Sequence, residues 1–176
     1  MIFVFTGEGK GKTTAALGQA VRAVGRGKNV LMIQFIKGPW QSGEDFVEMK
    51  RKTDGTGKFE LRKMGLGFVG ILGDQLPRAE HKRAARKALR EFKRELALNK
   101  WHLIILDEIN VAVALNLIKT ADVLTAIARV PEERLLILTG RDASAELIQK
   151  ADLVTEMKEI RHPFTEGNLA KIGIEF

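Results

Sequence analysis

"IFVFTGEGKGKTT", residues 2–14, decides the fold of this chain. An apolar run passes at once into a glycine-rich turn, and Gly11-Lys12-Thr13 then opens a helical pattern. Strand, glycine-rich loop and helix in that order form the context in which G-x-x-x-x-G-K-[ST] works as a phosphate cradle. Successive backbone N–H groups and the helix N-terminus present partial positive charge to phosphate, and glycines let the backbone come close. Thr6 stands where the pattern wants its first glycine, while Gly7, Gly9 and Gly11 keep the loop open. The stretch Gly7, Glu8, Gly9, Lys10, Gly11, Lys12, Thr13 and Thr14 is therefore expected to hold the phosphates of a nucleotide. Lys12 is expected to pair with the terminal phosphates, and the Thr13 hydroxyl to reach a magnesium ion.

Outward from this loop, short apolar runs alternate with longer helical patterns. The runs are Ile2–Phe5, Val30–Ile36, Phe59–Arg62, Leu103–Leu106, Leu135–Thr139 and Leu153–Met157, and the helical patterns are Thr13–Arg26, Pro77–Asn99 and Ala143–Lys150. Runs such as "LIIL" and "LLIL", with no polar alternation, suit strands buried on both faces. A parallel α/β sheet covered by helices on both faces follows, with "GRGKN" at 25–29 stopping the first helix. The loops Lys37–Gly57 and Gly65–Gly73 ("GLGFVGILG") are long and glycine-rich, and open sheets bind ligands beyond the carboxyl ends of their strands.

A length of 176 residues suits one domain, 1–176, and 45% hydrophobic with 29% charged residues excludes a disordered or fibrous class. There is no apolar run of membrane-spanning length, and "MIFVF" turns glycine-rich too soon for a signal peptide, so a cytoplasmic protein is expected. The absence of cysteine fits a reducing compartment and removes thiolate metal sites and thiol redox chemistry. Any electron needed must come from another molecule. Much of the net charge of +7 falls between Arg78 and Arg94, where Ala85, Leu89, Phe92 and Leu96 mark the buried stripe of an amphipathic helix. Apart from Phe92 of the buried stripe, no aromatic or glycine interleaving accompanies those cations, so they read as a solvated face, and a nucleic-acid partner is not expected.

"LIILDEIN", residues 103–110, delivers Asp107 and Glu108 to the carboxyl edge of the sheet. Side chains alternate along a strand, so one of the two should face the metal of a magnesium-bound triphosphate, with Glu108 the candidate to hold the ion or its water shell. Either carboxylate alone would also suit the start of a helix. "LTGRDA" puts Arg141 just past another strand, and Arg22 lies on the first helix; each is equally readable as a solvated surface arginine.

Taken together, "FTGEGKGKTTAALGQAVRAVGRGKNVLMIQFIKGPW", "LDEIN", "LTGRDASAELIQKADLVTEMKEIRHPF" and the closing "GIEF" resemble the ATP:corrinoid adenosyltransferases of the cobalamin pathway over almost the whole chain. The missing first glycine of the loop is a feature of that family. The resemblance implies a RecA-like P-loop fold, homodimers, and ATP bound with magnesium. It implies that a corrinoid, reduced to cobalt(I) by an external flavoprotein reductase, attacks the 5′-carbon of ATP and expels triphosphate. By carry-over, Lys12 and Glu108 serve the chemistry, Arg22, Glu108 and Arg141 lie near the nucleotide, and Phe68 lies against the corrinoid. Members commonly read Gly-Phe-Thr-Trp where this chain has Gly67-Phe68-Val69-Gly70, so Phe68, with a neighbour such as Ile71 or Leu72, is expected to act without the tryptophan. Many members also carry an N-terminal segment that helps cover the corrinoid, whereas this sequence starts at its first strand.

Two other readings compete with this one. A P-loop ATPase or phosphotransferase would need a base or an oriented water, and no convincing base is visible; no Asn-Lys-x-Asp motif suggests a GTPase. A nucleotide-gated module binding nucleic acid through the basic helix is the other. The preferred corrinoid and the identity of the reductase are not legible.

Overall fold

The computed structural model describes residues 1–71, 73–163 and 171–174. Leu72, Phe164 of the "HPF" run, and Glu175 and Phe176 of the closing "GIEF" lie outside the described residues. Six strands, β1 (Ile2–Thr6), β2 (Val30–Gln34), β3 (Phe59–Lys63), β4 (Leu103–Asp107), β5 (Leu135–Thr139) and β6 (Leu153–Glu156), form one sheet in the order β3-β2-β4-β5-β1-β6. Every pairing in it is parallel. One strand, β5, separates the strand of the phosphate loop from the strand that ends in Asp107. This is the RecA-like α/β arrangement expected from the resemblance.

The helices are α1 (Lys12–Gly25), α2 (Arg78–Ala97), α3 (Ile109–Ala114), α4 (Thr120–Ile127) and α5 (Ala145–Lys150). On one face of the sheet α1 packs through Ala16, Ala20 and Val24 against Phe5, Val30, Met32, Leu103, Ile105 and Ile137. The spacing of four residues keeps these contacts on one side of the helix, and the two alanines let it lie close. On the other face, α2 contributes Ala85, Leu89, Phe92 and Leu96 to a core with Leu31, Ile33, Ile104, Leu106 and Leu138, which also takes in residues of α3, α4 and α5. The four inner strands read from sequence are thus buried on both sides, while at the edges β3 is half-buried throughout and β6 is exposed throughout.

Three elements were not legible beforehand: α3, α4 and a single 3-10 turn, Gly43–Phe46, inside the long loop after β2. "INVAVA" of α3 mixes β-branched residues with asparagine, so its period says little, and packing of Ile109, Ala112 and Val113 into the core decides its state. Among the described residues no helix is long and apolar enough to cross a membrane.

Candidate nucleotide site and aromatic hollow

At the carboxyl edge of the sheet, Gly11 takes a left-handed conformation (φ 115°) and α1 starts with neither a side-chain cap nor an acidic residue in its first turn. Its N–H groups remain available to an anion. Lys12 is buried, and its Nζ donates to Gly7 O at 2.6 Å and Gly9 O at 2.7 Å, so the ammonium closes the loop on itself. Burial lowers the Lys12 pKa, and Glu108 opposes that shift.

The glycines of the loop answer to a constraint that the motif does not announce. A Cβ on Gly7 would stand 2.5 Å from Met157 O, and one on Gly9 would stand 2.8 Å from Met157 O. The chain leaving β6 passes so close that Gly9 N–H donates to Met157 O at 2.6 Å. Gly7 has a φ of 94° in addition. Thr6, in place of the first glycine, is still part of β1, and its Oγ1 accepts from Ala143 N–H at 3.2 Å, tying the loop after β5 to the phosphate loop.

The Thr13 hydroxyl donates to Asp107 Oδ1 at 2.9 Å. Asp107 is wholly buried; its Oδ1 also accepts from Thr139 Oγ1 at 2.7 Å, and its Oδ2 accepts from Gln34 Nε2 at 3.1 Å. Lys37 Nζ stands 3.8 Å from the same Oδ2. Glu108 follows with a φ of 61°, a left-handed conformation in a non-glycine residue, fixed by its N–H donating to Thr139 Oγ1 at 3.0 Å. Burial pushes the Glu108 pKa up to about 7, Asp107 adds to the rise, and Lys12, Lys37 and Arg141 oppose it. The contact with Thr13 is therefore made by Asp107, while Glu108 stands among the site's cations. Pairing of β2 with β4 sets Gln34 beside Asp107, and one residue later Glu108 has already left the strand.

Magnesium binds through one or two protein oxygens, keeping waters and phosphate oxygens for the rest of its shell. A threonine hydroxyl hydrogen-bonded to a buried carboxylate fits that demand. Among the described residues no group of three or more His, Asp or Glu forms a denser cage.

Arg141 reaches over the loop to pair with Glu8 at 3.2 Å, both side chains being exposed. Lys10 Nζ donates to Ile174 O at 2.6 Å, and Thr14 is the third residue of α1. Arg22 is not brought to this cluster. It lies exposed in the last turn of α1, ten residues past Lys12 and so about 15 Å along the axis.

Phe68 is exposed by 45% and is not a core residue. It meets Trp40 of the other long loop, with ring centroids 5.6 Å apart. The two aromatics line a shallow hollow with Leu66, Ile71, Asp74 and Leu76. Gly67, with a φ of 106°, makes the contact possible, because a Cβ there would stand 2.6 Å from the Trp40 ring. Asp74, its pKa lowered first by accepting from the N–H groups of Gly70 and Leu76, also holds the buried His81 at 2.9 Å and so fastens this loop to α2. Gln34, Lys37, Glu44 and Thr139 were missed as site residues, whereas Trp40 and its loop were the alternative place the sequence offered for the corrinoid. The "FIKG" run at 35–38 was the available signal for Lys37.

The profile of the family described as ATP:corrinoid adenosyltransferase BtuR/CobO/CobP matches residues 1–176. The corrinoid adenosyltransferase of Escherichia coli strain K12 is 38% identical over 176 residues, all of this chain and 85% of the relative. The corrinoid adenosyltransferase CobA of Salmonella typhimurium is 36% identical over the same span, also covering 85% of the relative. A relative of the same description from a Sinorhizobium species is 37% identical, with 80% of its length covered.

Proposed function

The chain belongs to the ATP:corrinoid adenosyltransferase family, and on that footing we propose that it transfers the 5′-deoxyadenosyl group of ATP to the cobalt of a reduced corrinoid. Cobalt(I) supplies the electron pair that forms the cobalt–carbon bond at C5′. The C5′–O bond breaks, and its electron pair leaves with the triphosphate. No proton moves at the reacting carbon, so the protein needs no general base; its work is positioning and neutralising the leaving group.

The observation that carries this reading is the Thr13–Asp107 hydrogen bond, which joins the phosphate loop to a buried carboxylate, with an exposed aromatic pair on the neighbouring loops. The amides of Gly7 to Thr14 cradle the triphosphate. Lys12 exchanges its bonds to Gly7 O and Gly9 O for phosphate oxygens, and Arg141 closes from outside. Thr13 and Asp107 would hold magnesium, which when bound neutralises triphosphate charge; Glu108 sets the local field beside it. Arg22, about 15 Å along α1 from Lys12, is left without a role at this nucleotide. Trp40 and Phe68 offer the apolar surface against which a corrinoid face lies, and burying an aromatic there also keeps water away from the metal's lower side. Electrons come from a separate flavoprotein reductase, for which this chain has no cysteine to substitute. Residues 1–176 act as one domain, as a homodimer, in the cytoplasm.

Supplying ATP, magnesium and chemically reduced cob(I)alamin tests this directly. A light-sensitive cobalt–carbon product with one inorganic triphosphate per turnover is expected; release of ADP instead would move the chain to the phosphotransferases.

A further inference from the structure

The strands β3, β2 and β4 end in one row, because Lys63, Gln34 and Asp107 are register partners across the carboxyl edge. Residues 37–46 lie over that row and are fastened to it twice. On the nucleotide side, Glu44 Oε1 accepts from Lys37 Nζ at 2.8 Å and from Gln34 Nε2 at 3.2 Å, and the same Nε2 donates to Asp107 Oδ2. On the far side, Lys63 Nζ donates to Trp40 O at 2.7 Å and to Ser42 Oγ at 3.2 Å, and pairs with Asp45. Trp40 belongs to the second fastening through its carbonyl and rests its ring on Phe68.

An unbroken chain of side chains therefore runs from Thr13 through Asp107, Gln34 and Glu44 to the loop that bears Trp40. Its middle members, Asp107 and Gln34, are wholly buried, so no solvent screens what passes between them. Gln34 shares its amide N–H donors between two carboxylates, while its own Oε1 is buried with no hydrogen-bond partner among the described residues. A buried acceptor left unpaired is costly and marks an arrangement that a change at the site can improve. A change of charge at Asp107 Oδ1 alters what Oδ2 offers to Gln34 and Lys37, and Glu44 is the loop's contact with both.

We infer that Gln34, Lys37 and Glu44 are positioning residues that couple occupation of the phosphate loop to the posture of Trp40, so that Mg·ATP and the corrinoid each tighten the binding of the other. The inference rests on the adenosyltransferase reading above, which supplies the two ligands. Reciprocity is required by linkage: whatever Mg·ATP does for the corrinoid, the corrinoid does for Mg·ATP. The partition of the chain's two tryptophans makes this measurable, since Trp101 is buried with its indole N–H on Glu95 and Trp40 is exposed.

In a Trp101→Phe background, checked for intact secondary structure, Trp40 is the sole tryptophan. Calorimetry measures Mg·ATP affinity, Trp40 emission and acrylamide quenching measure the loop, and calorimetry with cob(II)alamin is run with and without Mg·ATP. The parent is expected to shift its Trp40 signal on adding Mg·ATP and to bind cob(II)alamin about tenfold more tightly, within the usual range of coupling between sites. Glu44→Ala should still bind Mg·ATP, with any change in that affinity measured without the corrinoid and divided out, yet lose the Trp40 response and most of the tenfold. Glu44→Gln, which keeps an acceptor for Gln34 Nε2 and disturbs the fold least, should recover part of both. A purely structural role for Glu44 would leave the two variants alike. Full coupling in Glu44→Ala, or a silent Trp40 in a parent that binds Mg·ATP, overturns the inference and leaves the adenosyltransferase reading standing. A parent that does not bind Mg·ATP overturns both.

Discussion

Asp107 and Glu108 adjoin in sequence, yet their surroundings predict opposite responses to losing charge. In Asp107→Asn, Oδ1 can still accept from Thr13 and Thr139, but the new amide N–H₂ takes the place of Oδ2. It then faces Gln34 Nε2 at 3.1 Å, donor against donor, and the Lys37 ammonium at 3.8 Å. Rotating the Gln34 amide would offer Oε1 to the new donor, but Glu44 would then lose its bond from Nε2. A hydrogen bond to a charged group contributes roughly 1.5–3 kcal/mol, and about 1.4 kcal/mol is tenfold, so the magnesium concentration for half-maximal activity should rise roughly ten- to a hundredfold. Glu108→Gln should change it by about twofold only, because burial, and after it Asp107, already raise the Glu108 pKa toward neutral and the amide resembles the protonated form. Activity titrated against magnesium at saturating ATP and cob(I)alamin gives both numbers, with thermal unfolding run beside it to separate loss of metal from loss of fold. The reverse order, with Glu108→Gln the more demanding variant in folded protein, refutes the assignment and returns the metal to Glu108, as the sequence suggested.

Lys12→Ala removes an ammonium that holds two loop carbonyls, so transfer should be abolished and ATP affinity should fall at least about tenfold; isothermal titration checks this, and near-normal turnover would sink the site. Phe68→Ala and Trp40→Ala should each slow the reductase-driven reaction from cob(II)alamin far more than the reaction from pre-reduced cob(I)alamin, since both side chains are exposed and neither supports the core; equal losses with a lowered melting temperature would mean a packing role. The folded-state pKa of Glu108 lies above its ordinary 4.5, so the native state keeps a proton that the unfolded chain releases. Stability should therefore fall as pH rises from about 4.5 to about 7, by an amount on the order of 3 kcal/mol, and Glu108→Gln should flatten that slope in urea unfolding at a series of pH values. Gly67→Ala meets both a φ of 106° and the Trp40 ring, so it should cost about 1–2 kcal/mol or more of stability and disturb Trp40 emission.

The sequence by itself determined the parallel α/β sheet, because apolar runs without alternation can only be satisfied by cover on both faces. It determined the phosphate loop as well, since strand, glycines and Lys12-Thr13 are contiguous and act through local backbone geometry. Tertiary structure alone decided which carboxylate meets Thr13: the two differ by one residue, and register with β2 and the left-handed turn at Glu108 separate them. It also decided that Gly7 and Gly9 make room for Met157, which is remote in sequence and adjacent only because β6 pairs with β1. Phe68 likewise lacked a tryptophan at Gly70 when read along the chain, whereas Trp40 reaches it from a loop 28 residues earlier. Motifs whose parts are neighbours in the chain are written in the sequence; contacts made by crossover and register are fixed only when the sheet assembles, because pairing, not proximity along the chain, sets which side chains share an edge.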